Sequence, residues 1–186
     1  FIHKDLRIDS KTFVLIKDAG RVSEWFEDNF PNKRRIDLWL IYLTLLLKSL
    51  NRRKLSKLLK DFAFSRGESK RVLSFHLEAV KIIAKLKKAP KPSRIYRLLE
   101  PLSFEVILLI MLEASDASVK RKVKDFFKHY NETRISIGGE DLKSIGIKPG
   151  PRFKEIFKLL LYAKLDKPLK TKKDELLYLK NKVLAE

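Results

Sequence analysis

The sequence predicts an all-α protein: a helical body, then a small helical tail with a helix-hairpin-helix-like Gly-Pro turn. Three observations predict it. Apolar residues recur three and four apart along nearly the whole chain; in one segment Leu55, Leu58, Leu59 and Phe62 share a face opposite Lys54, Lys57 and Lys60. No alternating strand pattern runs longer than four residues. Four of the six glycines crowd into Gly138–Gly150, where two prolines flank the last of them.

Taken in order, Asp9 or Ser10 caps a first helix that runs to about Asn29, with Phe13, Ile16, Gly20, Trp25 and Phe26 inward and Pro31 as its stop. A second helix covers about Arg35–Leu50, a third about Arg52–Phe62 and a fourth about Glu68–Lys88. Pro90-Lys91-Pro92 breaks the pattern. Ser93 caps a short helix ending at Glu100-Pro101, and Ser103 caps the next, apolar nearly all round and therefore central. Another helix covers about Val119–Tyr130. A hinge is expected between Tyr130 and Gly138, then a short extended entry at Ile135-Ser136-Ile137 and a turn or two of helix at Asp141–Ile145. Helices follow at about Pro151–Lys164 and Lys172–Leu184, the second opened by a capping box of Thr171 and Asp174.

The 186 residues carry 42 Lys and Arg against 23 Asp and Glu, a formal charge of +19. With 45% apolar residues the chain can fold, so disorder does not account for the bias, and a polyanionic partner would relieve the self-repulsion. The cations cluster. Lys33–Arg71 holds 12 against three acids, Lys81–Arg97 holds seven and no acid, and Lys120-Arg121-Lys122 with Lys124 and Lys128 forms a third group. There is no Cys, which excludes disulfide scaffolds, thiol nucleophiles and Cys-ligated metals. The isolated His3, His76 and His129 do not suggest a metal site. The longest uncharged run, Leu38–Leu47, is about half of the ~20 residues a membrane span needs, and no signal segment opens the chain, so the expected location is the cytoplasm. The chain begins at Phe1 and its one methionine is Met111, which suggests a longer polypeptide.

No residue pattern points to catalysis. Two-metal chemistry needs carboxylates close enough to share ions, and there is no acidic-x-acidic triplet. The adjacent pairs Glu27-Asp28, Glu140-Asp141 and Asp174-Glu175 sit near helix ends, where cap and dipole support explains them. Neither a catalytic nor a metal-ligating residue is assigned. The stretch Asp141–Pro151 instead predicts a phosphate clamp: glycines admit close backbone approach, a helix N-terminus favours an anion, and Lys148, Arg152 and Lys154 stand beside it.

The same stretch resembles the tail of bacterial tRNA nucleotidyltransferases and poly(A)-polymerase-like enzymes. Ile137-Gly138-Gly139-Glu140-Asp141-Leu142, then Gly146, then Pro149-Gly150-Pro151 follow that pattern, and so do Ala163-Lys164-Leu165-Asp166 and Thr171–Leu176, although Lys167 stands where the family commonly has Gly. Pro92–Leu99 and Pro101-Leu102-Ser103 resemble the body of the A-adding branch. The resemblance implies a body at 1–130, with a neck remnant at 1–30, and an RNA-elbow-binding tail at 131–186. It implies a transferase that adds A or CCA to tRNA 3′ ends, using ATP and Mg²⁺ at a head domain. Neither the family's Gly-Ser nor its Asp-x-Asp is here, so this segment is expected to hold the tRNA elbow by its phosphates, to have no cofactor of its own, to work with the head and neck, and to avoid membranes. The expected contacts are Gly138, Gly139, Lys148, Gly150, Arg152 and Lys154 in the tail, with Lys91, Arg94, Arg97, Lys120 and Arg121 in the body. The alternative is a stand-alone helical nucleic-acid-binding adaptor without catalysis.

Overall fold

The computed structural model describes residues 5–183; His3, and Leu184 at the expected end of the last helix, lie outside them. Ten α-helices occur among the described residues: α1 Ser10–Asn29, α2 Leu38–Leu46, α3 Arg52–Asp61, α4 Arg66–Lys87, α5 Pro92–Leu99, α6 Phe104–Glu113, α7 Ala117–Asp125, α8 Gly139–Ser144, α9 Pro151–Asp166 and α10 Lys172–Val183. No strand is present among them. Two compact units form. One comprises the chain up to Lys88 with Leu98–Val123; the other comprises Ala89–Arg97 with the chain from Lys124 onward. These units interleave along the sequence.

In the first unit α6 is central. Every residue from Glu105 to Leu112 is buried, because α1, α2 and α4 all pack against this helix. A second apolar cluster joins α2, α3 and α4 through Leu40, Leu47, Leu55, Leu58, Leu59 and Val72. Several expected caps form as read: the Asp9 carboxylate accepts from the Thr12 N–H at 2.7 Å, and Ser103 Oγ accepts from the Val106 N–H. Ser65, unread in the sequence, makes a capping box with Glu68 and starts α4 two residues earlier than expected.

Three expectations need correction. Phe13 points outward, 65% exposed, and the buried stripe of α1 is Thr12, Leu15, Ala19, Ser23 and Phe26. Three of these residues are small, a feature that a search for bulky apolar residues overlooks. The second helix is shorter than read: α2 begins at Leu38 and tightens into a 3-10 turn at Leu47–Ser49. Ser93 does not cap α5. Its N–H and hydroxyl donate to the Asp166 carboxylate at 2.9 and 2.6 Å, tying the start of α5 to the end of α9.

Two buried carboxylates organise the two units. Glu105, 1% exposed, accepts two 2.7 Å bonds from the Arg34 guanidinium and one from the Asp37 N–H, with Arg71 at 3.3 Å. Arg71 also bridges to Asp37 at 2.5 Å. Burial pushes the Glu105 carboxyl up, but the bonds from Arg34 and from backbone N–H groups outweigh it and bring its pKa down to about 2. The network pins the α1–α2 connection to the first turn of α6. In the second unit Glu175 is fully buried. It accepts from the Ser136 and Ile137 N–H groups at 2.8 and 3.1 Å and pairs with Lys164 at 2.6 Å. The expected extended entry is thus held by a side chain rather than by a strand partner. Around it, Ile137, Leu142, Ile147, Ile156, Leu160 and Leu179 form the core of this unit.

Candidate nucleic-acid interface

The hairpin between α8 and α9 is built by local rules. Gly146 ends α8 in the left-handed region, at φ 87°. Its N–H bonds the Lys143 carbonyl, and the Ile147 N–H reaches back to the Leu142 carbonyl at 3.0 Å, so two carbonyls at the helix end are satisfied. Pro149-Gly150-Pro151 then turns the chain into α9, with proline at the first helical position. Gly150 is extended, and a Cβ built on it meets nothing within 4 Å.

The expected donors do not all stay available. The Gly138 N–H is taken, donating to Asp141 Oδ2 at 2.9 Å. Gly139 opens α8, and a Cβ there would meet the Phe153 ring at 3.5 Å, an ordinary van der Waals contact. Lys148, Arg152 and Lys154 are exposed and pair with no described acid.

Lys91, Arg94 and Arg97 belong to the same compact unit as the hairpin and are exposed. The Arg97 guanidinium lies over the Tyr162 ring at 5.2 Å. Lys120 and Arg121 are exposed on α7, in the other unit. Their neighbour Lys122 is spent internally, donating to the Leu86 and Lys87 carbonyls at the end of α4. The Lys33–Arg71 cluster is also partly neutralised: Arg34, Lys48, Lys54, Lys57 and Arg71 are ion-paired. Arg35, Arg52, Arg53, Lys60, Arg66 and Lys70 remain exposed without an ion pair among the described residues. Counting charges along the sequence cannot separate these two sets.

Sequence reasoning missed a groove of about 560 Å³ beside the hairpin. Phe153, Phe157 and Leu161 from α9 form one wall; Tyr96 of α5 and Ile135 form the other. Gly150 lies at its edge, and its charged lining residues, Arg134, Lys154 and Lys158, are all cations. A second hollow of about 660 Å³ in the same unit, lined by Lys91, Tyr162 and Tyr178, also contains Glu155 and Asp166. The spacing of Phe153, Phe157 and Leu161 is legible in the sequence as a helical stripe, but it reads as core. Among the described residues no three His, Asp or Glu side chains converge to hold a metal ion, and no helix is long and apolar enough to cross a membrane. Two of the three acidic pairs supply caps and a core tie: Asp141 and Asp174 cap helices, and Glu175 is the buried tie.

No protein-family model matches the chain. Among curated proteins it is 26% identical over 182 residues to an A-adding tRNA nucleotidyltransferase of Geobacter sulfurreducens, covering 95% of this chain and 21% of that protein. The chain is similar to part of the A-adding tRNA nucleotidyltransferases. An A-adding enzyme of Aquifex aeolicus is 30% identical over 154 residues, covering 80% of the chain and 18% of the relative. The chain therefore spans about a fifth of the length of these relatives. Its helical fold is shared with the Thermotoga maritima CCA-adding enzyme solved with tRNA, at TM-score 0.79 and 18% identity over 98% of this chain and 44% of that one. A CCA-adding enzyme solved with CTP gives TM-score 0.74 at 19% identity, covering all of this chain and 43% of the other.

One variant separates a phosphate-binding hairpin from a packing turn. Gly150→Val should leave the melting temperature unchanged, because the site is open and its extended backbone suits a residue before proline. It should weaken tRNA binding by roughly 1–2 kcal/mol, the loss of one or two charge-assisted backbone bonds. Arg152→Ala should cost less and flatten the salt dependence. A lower melting temperature with unchanged affinity would make the hairpin a packing element.

Proposed function

We propose that this chain is the tRNA-holding part of a tRNA 3′-end nucleotidyltransferase of the A-adding or CCA-adding kind, working in the cytoplasm. The near-complete alignment of the chain with a fifth of an A-adding enzyme carries the reading. The physical features agree with it. Fixed helices present exposed, unpaired cations, and duplex RNA is recognised mainly through its shape and backbone. On this reading the second unit, with Lys148, Gly150, Arg152 and Lys154, takes the tRNA elbow by its phosphates. Lys91, Arg94, Arg97, Lys120 and Arg121 add further backbone contacts.

Nucleotide addition with ATP and Mg²⁺ belongs, on this reading, to a head domain elsewhere in the enzyme. No step of that chemistry is assigned to the residues present here. The chain alone should bind tRNA lacking its 3′ A but incorporate no labelled nucleotide from ATP and Mg²⁺. Incorporation above a protein-free control would overturn the non-catalytic assignment. Failure to bind tRNA would overturn the holding role.

A further inference from the structure

We infer that the groove beside the hairpin receives one unstacked nucleobase of the RNA, with its phosphates held by Lys154 and Lys158. The inference deepens the proposed function and rests on it. Sugar–phosphate recognition alone requires no apolar cleft, yet this one is walled by Tyr96, Ile135, Phe153, Phe157 and Leu161, all half-buried and still open to solvent. Phe153 and Phe157 stand 6.1 Å apart at 69°, an edge-to-face pair, so the groove's lining carries aromatic surface of the kind on which a flat ring packs. The volume, about 560 Å³, falls within the roughly 300–1,000 Å³ of small-molecule sites.

The charge selects the occupant. The Arg134 guanidinium donates to the Asn131 and Thr133 carbonyls and lies 4.0 Å from the Glu132 carboxylate. Lys154 and Lys158 lie one helical turn apart and pair with no described acid. No carboxylate lines the groove, unlike the second hollow with its Glu155 and Asp166. The fitting ligand is therefore planar, apolar on its faces and anionic at its edge, as a nucleotide is. Open space at Gly150 lets the RNA backbone approach. A base paired in a duplex is stacked on both sides and cannot enter, so the groove should favour an unpaired nucleotide over continuous helix.

The test uses the full chain and two RNA hairpins, one with a single bulged 2-aminopurine and one with the same base paired in the stem. Binding should change the fluorescence of the bulged probe in a saturable way and leave the paired probe silent. Phe157→Leu, which keeps apolar bulk and removes the ring, should abolish the signal and weaken the bulged hairpin by roughly five- to tenfold, the lower range for one base–aromatic stack. Its affinity for the paired hairpin should be unchanged. The wild-type signal stands alone as evidence if that variant does not fold. If both hairpins bind equally and the bulged probe stays silent, the groove is not a base site, although the holding role survives. If neither binds, both fail. If free AMP displaces the bulged probe with the affinity of the RNA itself, the groove belongs to free nucleotides and the inference is overturned.

Discussion

Glu105→Ala is expected to destabilise the first unit by about 3–5 kcal/mol, the scale on which breaking a buried ion pair leaves its partners uncompensated. The carboxylate is nearly inaccessible and ties Arg34, the Asp37 N–H and Arg71 together. Alanine removes all of these bonds and leaves a void against α6. Chemical denaturation followed through Trp25 and Trp39, both in this unit, measures the loss. The titration supplies a second signature. A carboxyl held near 2 in the fold and near 4.5 in the unfolded chain adds stability that is complete above about 4.5 and is lost as the pH falls through about 2. The difference corresponds to about 3 kcal/mol, an order-of-magnitude figure. Glu105→Gln should therefore flatten the acid limb of the stability curve between pH 4.5 and 2, while wild type keeps it. Equal acid limbs would show that the pair does not hold the fold.

Glu175→Ala should have an effect of similar size, confined to the second unit. Its carboxylate is fully buried and accepts two backbone N–H bonds besides pairing with Lys164. Removing it strands the buried Ile137 N–H and leaves the Ser136 N–H and the partly buried Lys164 ammonium without their partner, at a cost of about 3 kcal/mol. Hydrogen exchange should rise sharply from Ile135 through α10, while α6 keeps its protection. Affinity for tRNA should fall with the loss of the hairpin. Uniform loss of protection in both units would mean that they unfold as one.

These two carboxylates also mark the limit of what the sequence discloses. Helices and most of their caps are local, and so Asp9, Ser103 and the Thr171–Asp174 box are legible from spacing alone. The Gly-Pro hairpin is legible for the same reason. Glu105 and Arg34 stand 71 positions apart, and Glu175 and Ser136 stand 39 apart, so nothing within a helical turn announces either pair. Glu105 sits in the first turn of an apolar helix, where an acid reads as dipole support. Ser93 resembles a cap because its distant partner Asp166 is invisible from its own neighbourhood. The groove is hidden for a related reason. Phe153, Phe157 and Leu161 form one helical stripe, and only the position of Tyr96 and Ile135 opposite them turns that stripe into a cleft.

The most direct test of the central claim, that this chain holds tRNA through its phosphates, is the affinity for tRNA measured across a series of salt concentrations. If about six phosphates are neutralised, log K against log salt should fall with a slope of about −4 to −5, at 0.7–0.9 per contact. Lys148, Arg152 and Lys154 to Ala together should make the slope shallower by about two to three. Tight binding that does not change with salt, or no binding at low salt, would contradict the account.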